Sequence, residues 1–170
     1  MVSGTQQNLD IPLKQPKYSI DTSAILEGYN RYYPPDVFPT LWGKIELLIK
    51  NGELKATAMV LEELKQKDDD VRNWAKQQEK DLFVPVDENI QKIVSEIMKN
   101  YPRIVAESKQ NKKNNADPFV IALAKQNDVT AISAEEGSSE KKPKIPFICE
   151  NFEIKHITFL EFIRTEKWSF

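Results

Sequence analysis

The sequence predicts an α/β domain built on a mostly parallel sheet, from two observations. Short apolar runs of strand character recur along the chain, separated by segments of helical periodicity. That alternation builds layered domains with helices packed on parallel strands. The second is bulk: 170 residues, 40% of them hydrophobic, with a net charge of −2, suffice for one soluble domain with a full core and are too few for two. Residues 1–16 carry two prolines and little apolar periodicity and are expected to form an N-terminal arm, leaving a single domain over 17–170.

YSID (18–21) is a short strand running into a turn. SAILEGYNRYY (23–33) starts a helix, which Pro34, Pro35 and Pro39 stop. Leu41, Ile45, Leu48 and Ile49 share one helical stripe, closed by Asn51-Gly52. ELKATAMV (53–60) is the second strand, and VLEELKQKDDDVRNWAKQQEKD (60–81) a charged helix interrupted by Trp74. A brief apolar run ends at Pro85, after which Asp87 caps the helix NIQKIVSEIMKNY (89–101). In DPFVIALAKQN (117–127), Asp117 and Pro118 mark a helix start, and Val120, Ile121, Leu123 and Ala124 form its buried face. DVTAIS (128–133) is a strand, PFICENF (146–152) carries another, and ITFLEFIRTEKW (157–168) closes the chain as a helix.

Composition narrows the chemistry. A lone Cys149 excludes an internal disulfide and fits a reducing cytoplasm, and with a lone His156 it also excludes a Cys/His zinc site. The polar start MVSGTQQNLD has no leader-type apolar region, and no run approaches the ~18–20 apolar residues of a membrane span. Any metal would therefore be a hard ion on oxygen ligands.

Four acidic positions share a structural context. Asp21 ends the first strand, Glu63 (beside Glu62) follows the second, Asp117 opens a helix, and Glu135 (beside Glu136) follows VTAIS. Strand C-termini and the adjoining helix starts lie on one edge of a parallel sheet, where converging carboxylates repel one another. Mg²⁺ or Mn²⁺ relieves that repulsion, and the chemistry that follows is metal-assisted phosphodiester hydrolysis. Taken singly, Asp117 is better explained as a helix cap, Glu63 as a surface residue and Glu135 as part of a solvated turn. Asp21 resists such an explanation, because an aspartate ending an apolar strand needs a partner. A phospho-aspartyl hydrolase would need a second acid two residues after its nucleophile, and position 23 is serine.

In order, SIDTSAIL, TAMVLEEL, ADPFVIALA and VTAISAE resemble the PIN-domain superfamily of metal-dependent nucleases, over most of residues 18–165. YYPPDVFPTLW, EELKQKDDDVRNWAK, KIPFICENF and ITFLEFIR further resemble an uncharacterised DUF4411-like bacterial subgroup related to the toxins of toxin–antitoxin pairs. The resemblance implies a three-layer α/β/α sandwich with a central, mostly parallel sheet of about five strands. It also implies an endoribonuclease cleaving RNA phosphodiesters with a metal-activated water. Asp21, Glu63, Asp117 and Glu135 take the family's acidic positions, with Asp21, Asp117 and Glu135 as ligands of Mg²⁺ or Mn²⁺. Glutamate stands at 135 where the family usually has aspartate. Thr22, Ser23, Ser133 and Glu62 are expected to support the cluster, although Ser23 is equally a helix cap.

Lys109, Lys112 and Lys113 precede Asp117, with Asn115 beside it, and Lys141 and Lys142 follow Glu135. Together they are candidate RNA contacts, while each lysine run alone reads equally as a solvated loop. An antitoxin and a homodimer are partners that the resemblance implies; Leu41, Trp42 and Ile45 line either a groove for one or the core. Two other functions share the predicted fold, a catalytically inactive RNA-binding or scaffolding module and a structure-specific DNA nuclease.

Overall fold

The computed structural model describes residues 13–104, 115–135 and 139–170. Most of the expected arm lies outside these residues. The described part begins where the Lys14 N–H donates to the Asn51 carbonyl.

Five parallel strands form one sheet in the order β3-β2-β1-β4-β5. They are β1 (Tyr18–Ile20), β2 (Leu54–Thr57), β3 (Phe83–Val84), β4 (Thr130–Ile132) and β5 (His156–Ile157). From β1 the chain winds outward through β2 to β3, then returns to the other side of β1 for β4 and β5. The order therefore reverses between β1 and β4, and open parallel sheets place ligands at such a point, beyond the strand C-termini. The Asp21 N–H donates to the Ile132 carbonyl at 2.8 Å, carrying the β1–β4 ladder one residue past β1.

Helices cover both faces of the sheet, the three-layer arrangement that the resemblance to PIN domains implies. On one face lies α7 (Asp117–Asn127), with Pro118 and the run Val120–Ala124 all buried. A helix apolar on almost every side must be packed on almost every side. It lies against β1, β2 and β4 and is covered by α6 (Glu88–Asn100) and α8 (Ile145–Asn151). Ser19 faces it from the middle of β1, and its buried hydroxyl donates to the Val120 carbonyl at 2.9 Å. Tyr18 points the opposite way, as strand alternation requires, and meets Phe162 of α9 (Phe159–Thr165) edge-on at 5.0 Å. On that side Trp42 of α2 (Pro39–Lys50) contacts Trp74 of α4 (Asp69–Gln77) and Phe159.

A π-helical turn, Glu27–Tyr32, continues α1 (Thr22–Leu26) into this aromatic layer. A Cβ on Gly28 would lie 2.8 Å from two ring carbons of Phe159. Gly28→Ala should therefore destabilise the protein by about 1–3 kcal/mol in urea unfolding, from overpacking. The opposite sign, a stabilisation of up to about 1 kcal/mol, is what helix propensity alone would give.

Three expectations need correction. The helix expected over 60–81 is divided into α3 (Ala58–Leu64), α4 and α5 (Glu79–Leu82). Val71, Trp74 and Ala75 can be buried only because the charged segment 65–68 turns the chain back. PFICENF forms helix α8 and not a strand: Pro146 stands in its first turn, and Ile145, Ile148 and Cys149 are buried at helical spacing. The fifth strand is instead His156–Ile157, just before Thr158 and Glu161 form the capping box that starts α9.

Candidate functional site

At the C-terminal edge of the sheet the chain gathers carboxylates from three places. Asp21, 2% exposed, is the N-cap of α1. Its Oδ2 accepts from the Ser23 N–H at 3.1 Å and from the Ser23 hydroxyl at 2.5 Å. Its Oδ1 is buried and has no hydrogen-bond partner among the described residues. Capping thus explains one oxygen and leaves the other, a buried acceptor of high desolvation cost, unexplained.

Asp117 reaches the same place from the first turn of α7. Its N–H donates to Asn115 Oδ1 at 3.0 Å, and Asn115 Nδ2 donates to the Ile104 carbonyl. Immediately before it, the Ala116 N–H donates to Glu63 Oε1 at 2.8 Å. Glu135 arrives just after β4, and its Oε2 accepts the Ile145 N–H at 2.9 Å, at the start of α8. One carboxylate oxygen each from Asp21, Asp117 and Glu135 all lie within 4.8 Å of one another.

Burial first, and then the charge of Glu135, push the Asp21 carboxyl up to about 7. Asp117 is held well above the usual carboxylate range by burial, by the charges of Asp21 and Glu135, and by a hydrogen bond with Glu135. Without a cation this cluster holds protons at pH values where a solvated carboxylate has none. The donor set is all oxygen and anionic, and it contains an orphaned buried acceptor. These residues fit a hard divalent cation.

The surroundings fix the three acids in place. The Ser23 hydroxyl also accepts the Ala134 N–H at 3.0 Å, tying the start of α1 to the end of β4. Ser133, fully buried, pairs through its hydroxyl with His156 Nε2 at 2.7 Å. Burial holds His156 below its ordinary value. Thr22 is buried beside Asp21, and its hydroxyl has no partner among the described residues.

The other candidate residues lie around this group. Glu63 is outside the group of three and serves as the acceptor that anchors the start of α7, its charge still acting on Asp21 and Asp117. Glu62 lies on the surface, paired with Lys65. The side chain of Asn115 is engaged at both ends, its Oδ1 by the Asp117 N–H and its Nδ2 by the Ile104 carbonyl, which gives it an orienting role at the start of α7. Lys141 and Lys142 are exposed on the loop before α8, whereas Lys109, Lys112, Lys113 and Glu136 lie outside the described residues. His156 had no sequence signal as the partner of Ser133, because the two meet only through the β4–β5 pairing.

A family model described as "Domain of unknown function (DUF4411)" matches residues 18–170. No curated protein matches the chain. Among solved structures, the chain is similar to FitAcB from Neisseria gonorrhoeae, with 18% identity, 85% of this chain and 99% of that chain covered, and a TM-score of 0.49. It is also similar to VapBC2 from Rickettsia felis, solved with a DNA fragment from its promoter, at 14% identity, 83% and 97% coverage, and a TM-score of 0.45. A third is DNA-bound VapBC from Salmonella typhimurium, at 14% identity, 85% and 99% coverage, and a TM-score of 0.46. Among the described residues, no helix is long and apolar enough to cross a membrane.

Proposed function

We propose that this chain, which belongs to the DUF4411 family, is a PIN-type, Mg²⁺- or Mn²⁺-dependent endoribonuclease whose centre is Asp21, Asp117 and Glu135. The observation that carries the proposal is the approach of three carboxylates to within 4.8 Å with Asp21 Oδ1 buried and unpartnered. Structure alone gives no reason to gather charges that burial and mutual repulsion both penalise. Bound there, a divalent cation neutralises charge on phosphate oxygens and lowers the pKa of water.

The chain's own part is to hold the three oxygens still. Asp21 is fixed by Ser23, Asp117 by the cap that Asn115 and Glu63 make, and Glu135 by the Ile145 amide. Ser23→Ala removes both the bond to Asp21 and the one to Ala134. Loss of such an orienting group typically weakens metal affinity 10–100-fold, and calorimetric Mn²⁺ titration of the variant should show a loss of about that size. An unchanged affinity would leave Ser23 with only the link between α1 and the end of β4.

Lys141 and Lys142, with Lys109, Lys112 and Lys113, supply positive charge for the RNA backbone in this proposal. The motif resemblance to toxin-type PIN proteins supports a place in a toxin–antitoxin pair, with an antitoxin and a second copy of the chain as partners. The single buried thiol of Cys149 suits a reducing cytoplasm. The test is incubation of labelled single-stranded RNA, and of DNA of the same sequence, with the protein in Mn²⁺ and in EDTA. Cleavage of RNA in Mn²⁺ alone is expected. Cleavage of only the DNA would make the protein a DNA nuclease, and cleavage of neither would leave an inactive module.

A further inference from the structure

A cavity of about 860 Å³ opens where the chain leaves α6 and where it enters α8. Both of its edges are tied to the carboxylate cluster. On one side the Ile104 carbonyl accepts from Asn115, which in turn accepts the Asp117 N–H. On the other, the Ile145 N–H donates to Glu135. The cavity is thus a neighbour of the acids, within the size range of sites for small organic groups, ~300–1,000 Å³.

Its lining is suited to a nucleobase. Tyr101 and Phe147 meet edge to face at 6.1 Å and 90°, and both are only partly buried. Asn100 and Asn151 add amides to the lining, Asn151 also donating to the Phe147 carbonyl, a chemistry that both donates to and accepts from base edges. Arg103 and Lys141 line it, with Glu140 the one acid among the described lining residues. The Arg103 guanidinium donates to the Lys141 carbonyl at 3.3 Å, linking the two edges. Aromatic rings with cations beside them are how proteins hold single-stranded nucleic acid, by stacking each base and neutralising its phosphate.

We propose that this cavity is the subsite for one unstacked base of a single-stranded RNA, with Tyr101 and Phe147 as its aromatic wall and Arg103 and Lys141 on the adjoining phosphates. Occupied in this way, it delivers the neighbouring phosphodiester towards Asp21, Asp117 and Glu135. The proposal rests on the nuclease function inferred for that cluster and names how the substrate is held. No linear motif marks the subsite, because its rings come from separate elements, Tyr101 after α6 and Phe147 within α8.

The test separates binding from cleavage. Affinity for a fluorescein-labelled single-stranded RNA is measured by anisotropy in EDTA, for wild type, Tyr101→Ala, Tyr101→Trp and Arg103→Ala. Loss of one stacked base should weaken binding about tenfold in Tyr101→Ala, with Tyr101→Trp restoring it. Arg103→Ala should reduce the salt dependence of binding by the share of one phosphate contact. Should Tyr101→Ala fail to fold, Lys141→Glu at an exposed position carries the same prediction of weaker binding. Wild-type affinity in a folded Tyr101→Ala, or in Lys141→Glu, overturns the subsite, and RNA cleavage by wild type in Mn²⁺ would then show the nuclease inference still standing. A tenfold loss without any wild-type cleavage would do the reverse, keeping the subsite and removing the catalysis.

Discussion

Asp117→Asn is expected to melt at a higher temperature than wild type in EDTA and to lose RNA cleavage in Mn²⁺. Both halves follow from one property of the cluster. Asp117 is half-buried beside Asp21 and Glu135, all three acidic, and its proton is held far more tightly than a solvated carboxyl would hold it. An amide of nearly the same shape removes one of the repelling charges. Relief of that kind contributes on the order of 1 kcal/mol, or roughly 2–4 °C in melting temperature for a chain of this size. The same change removes an anionic ligand. If bound metal supplies several kcal/mol to the hydrolytic step, cleavage should fall by at least about a hundredfold. A variant that is less stable than wild type in EDTA would mean that Asp117 serves the fold. One that cleaves like wild type would mean that it does not serve the chemistry.

The second large effect is a pH dependence that a divalent cation reverses. The Asp21 carboxyl stands at about 7 in the folded chain against an ordinary 3.8, and Asp117 is displaced in the same direction. Between these values the folded protein binds protons that the unfolded chain has released. Stability without metal must therefore fall as pH rises from about 4 to about 7. For Asp21 alone the loss amounts to at most about 4 kcal/mol, at 1.36 kcal/mol for each pKa unit. Saturating Mn²⁺ stabilises the ionised carboxylates, so its stabilising effect should be small at pH 5 and large at pH 8. His156 contributes a smaller limb of opposite sign: burial lowers its value, so its share of stability is lost as pH falls below about 6.5. Urea unfolding at pH 5, 6, 7 and 8, with EDTA and with Mn²⁺, separates these limbs once Asp21→Asn is included. Equal Mn²⁺ effects at pH 5 and pH 8 would contradict the coupling of metal to these protons.

Much of the architecture was legible because it is written in local pattern. The strand before Asp21, the proline-led helix at Asp117 and the apolar strand before Ser133 all lie where the alternation of apolar runs places them. One misassigned segment, PFICENF, is a short apolar run, for which strand and helix cannot be told apart by periodicity. The two residues of β5 are too few to carry any period.

The site divides in the same way. Strand ends and helix starts on one sheet edge single out Asp21, Glu63, Asp117 and Glu135 in the sequence, and the fold gathers oxygens of Asp21, Asp117 and Glu135. Ser23, two residues from Asp21, was legible as its support, whereas the bracing that depends on bonds between elements distant in sequence was not. Glu63 could not be known as the anchor of the α7 start before α3 and α7 were placed side by side. Nor could Asn115 be separated from the amide-rich loop in which it lies until its two backbone partners were fixed.

The most direct measurement is a calorimetric titration of Mn²⁺ into metal-free wild type and Asp21→Asn at pH 7.5. Wild type should bind the ion with release of protons from the carboxyl cluster, seen as a heat that changes with the ionisation enthalpy of the buffer. Asp21→Asn, which replaces the orphaned Oδ1 and its charge, should bind at least about tenfold more weakly. Equal affinity in the two proteins, or no binding by wild type, would contradict the assignment of Asp21, Asp117 and Glu135 as a metal centre.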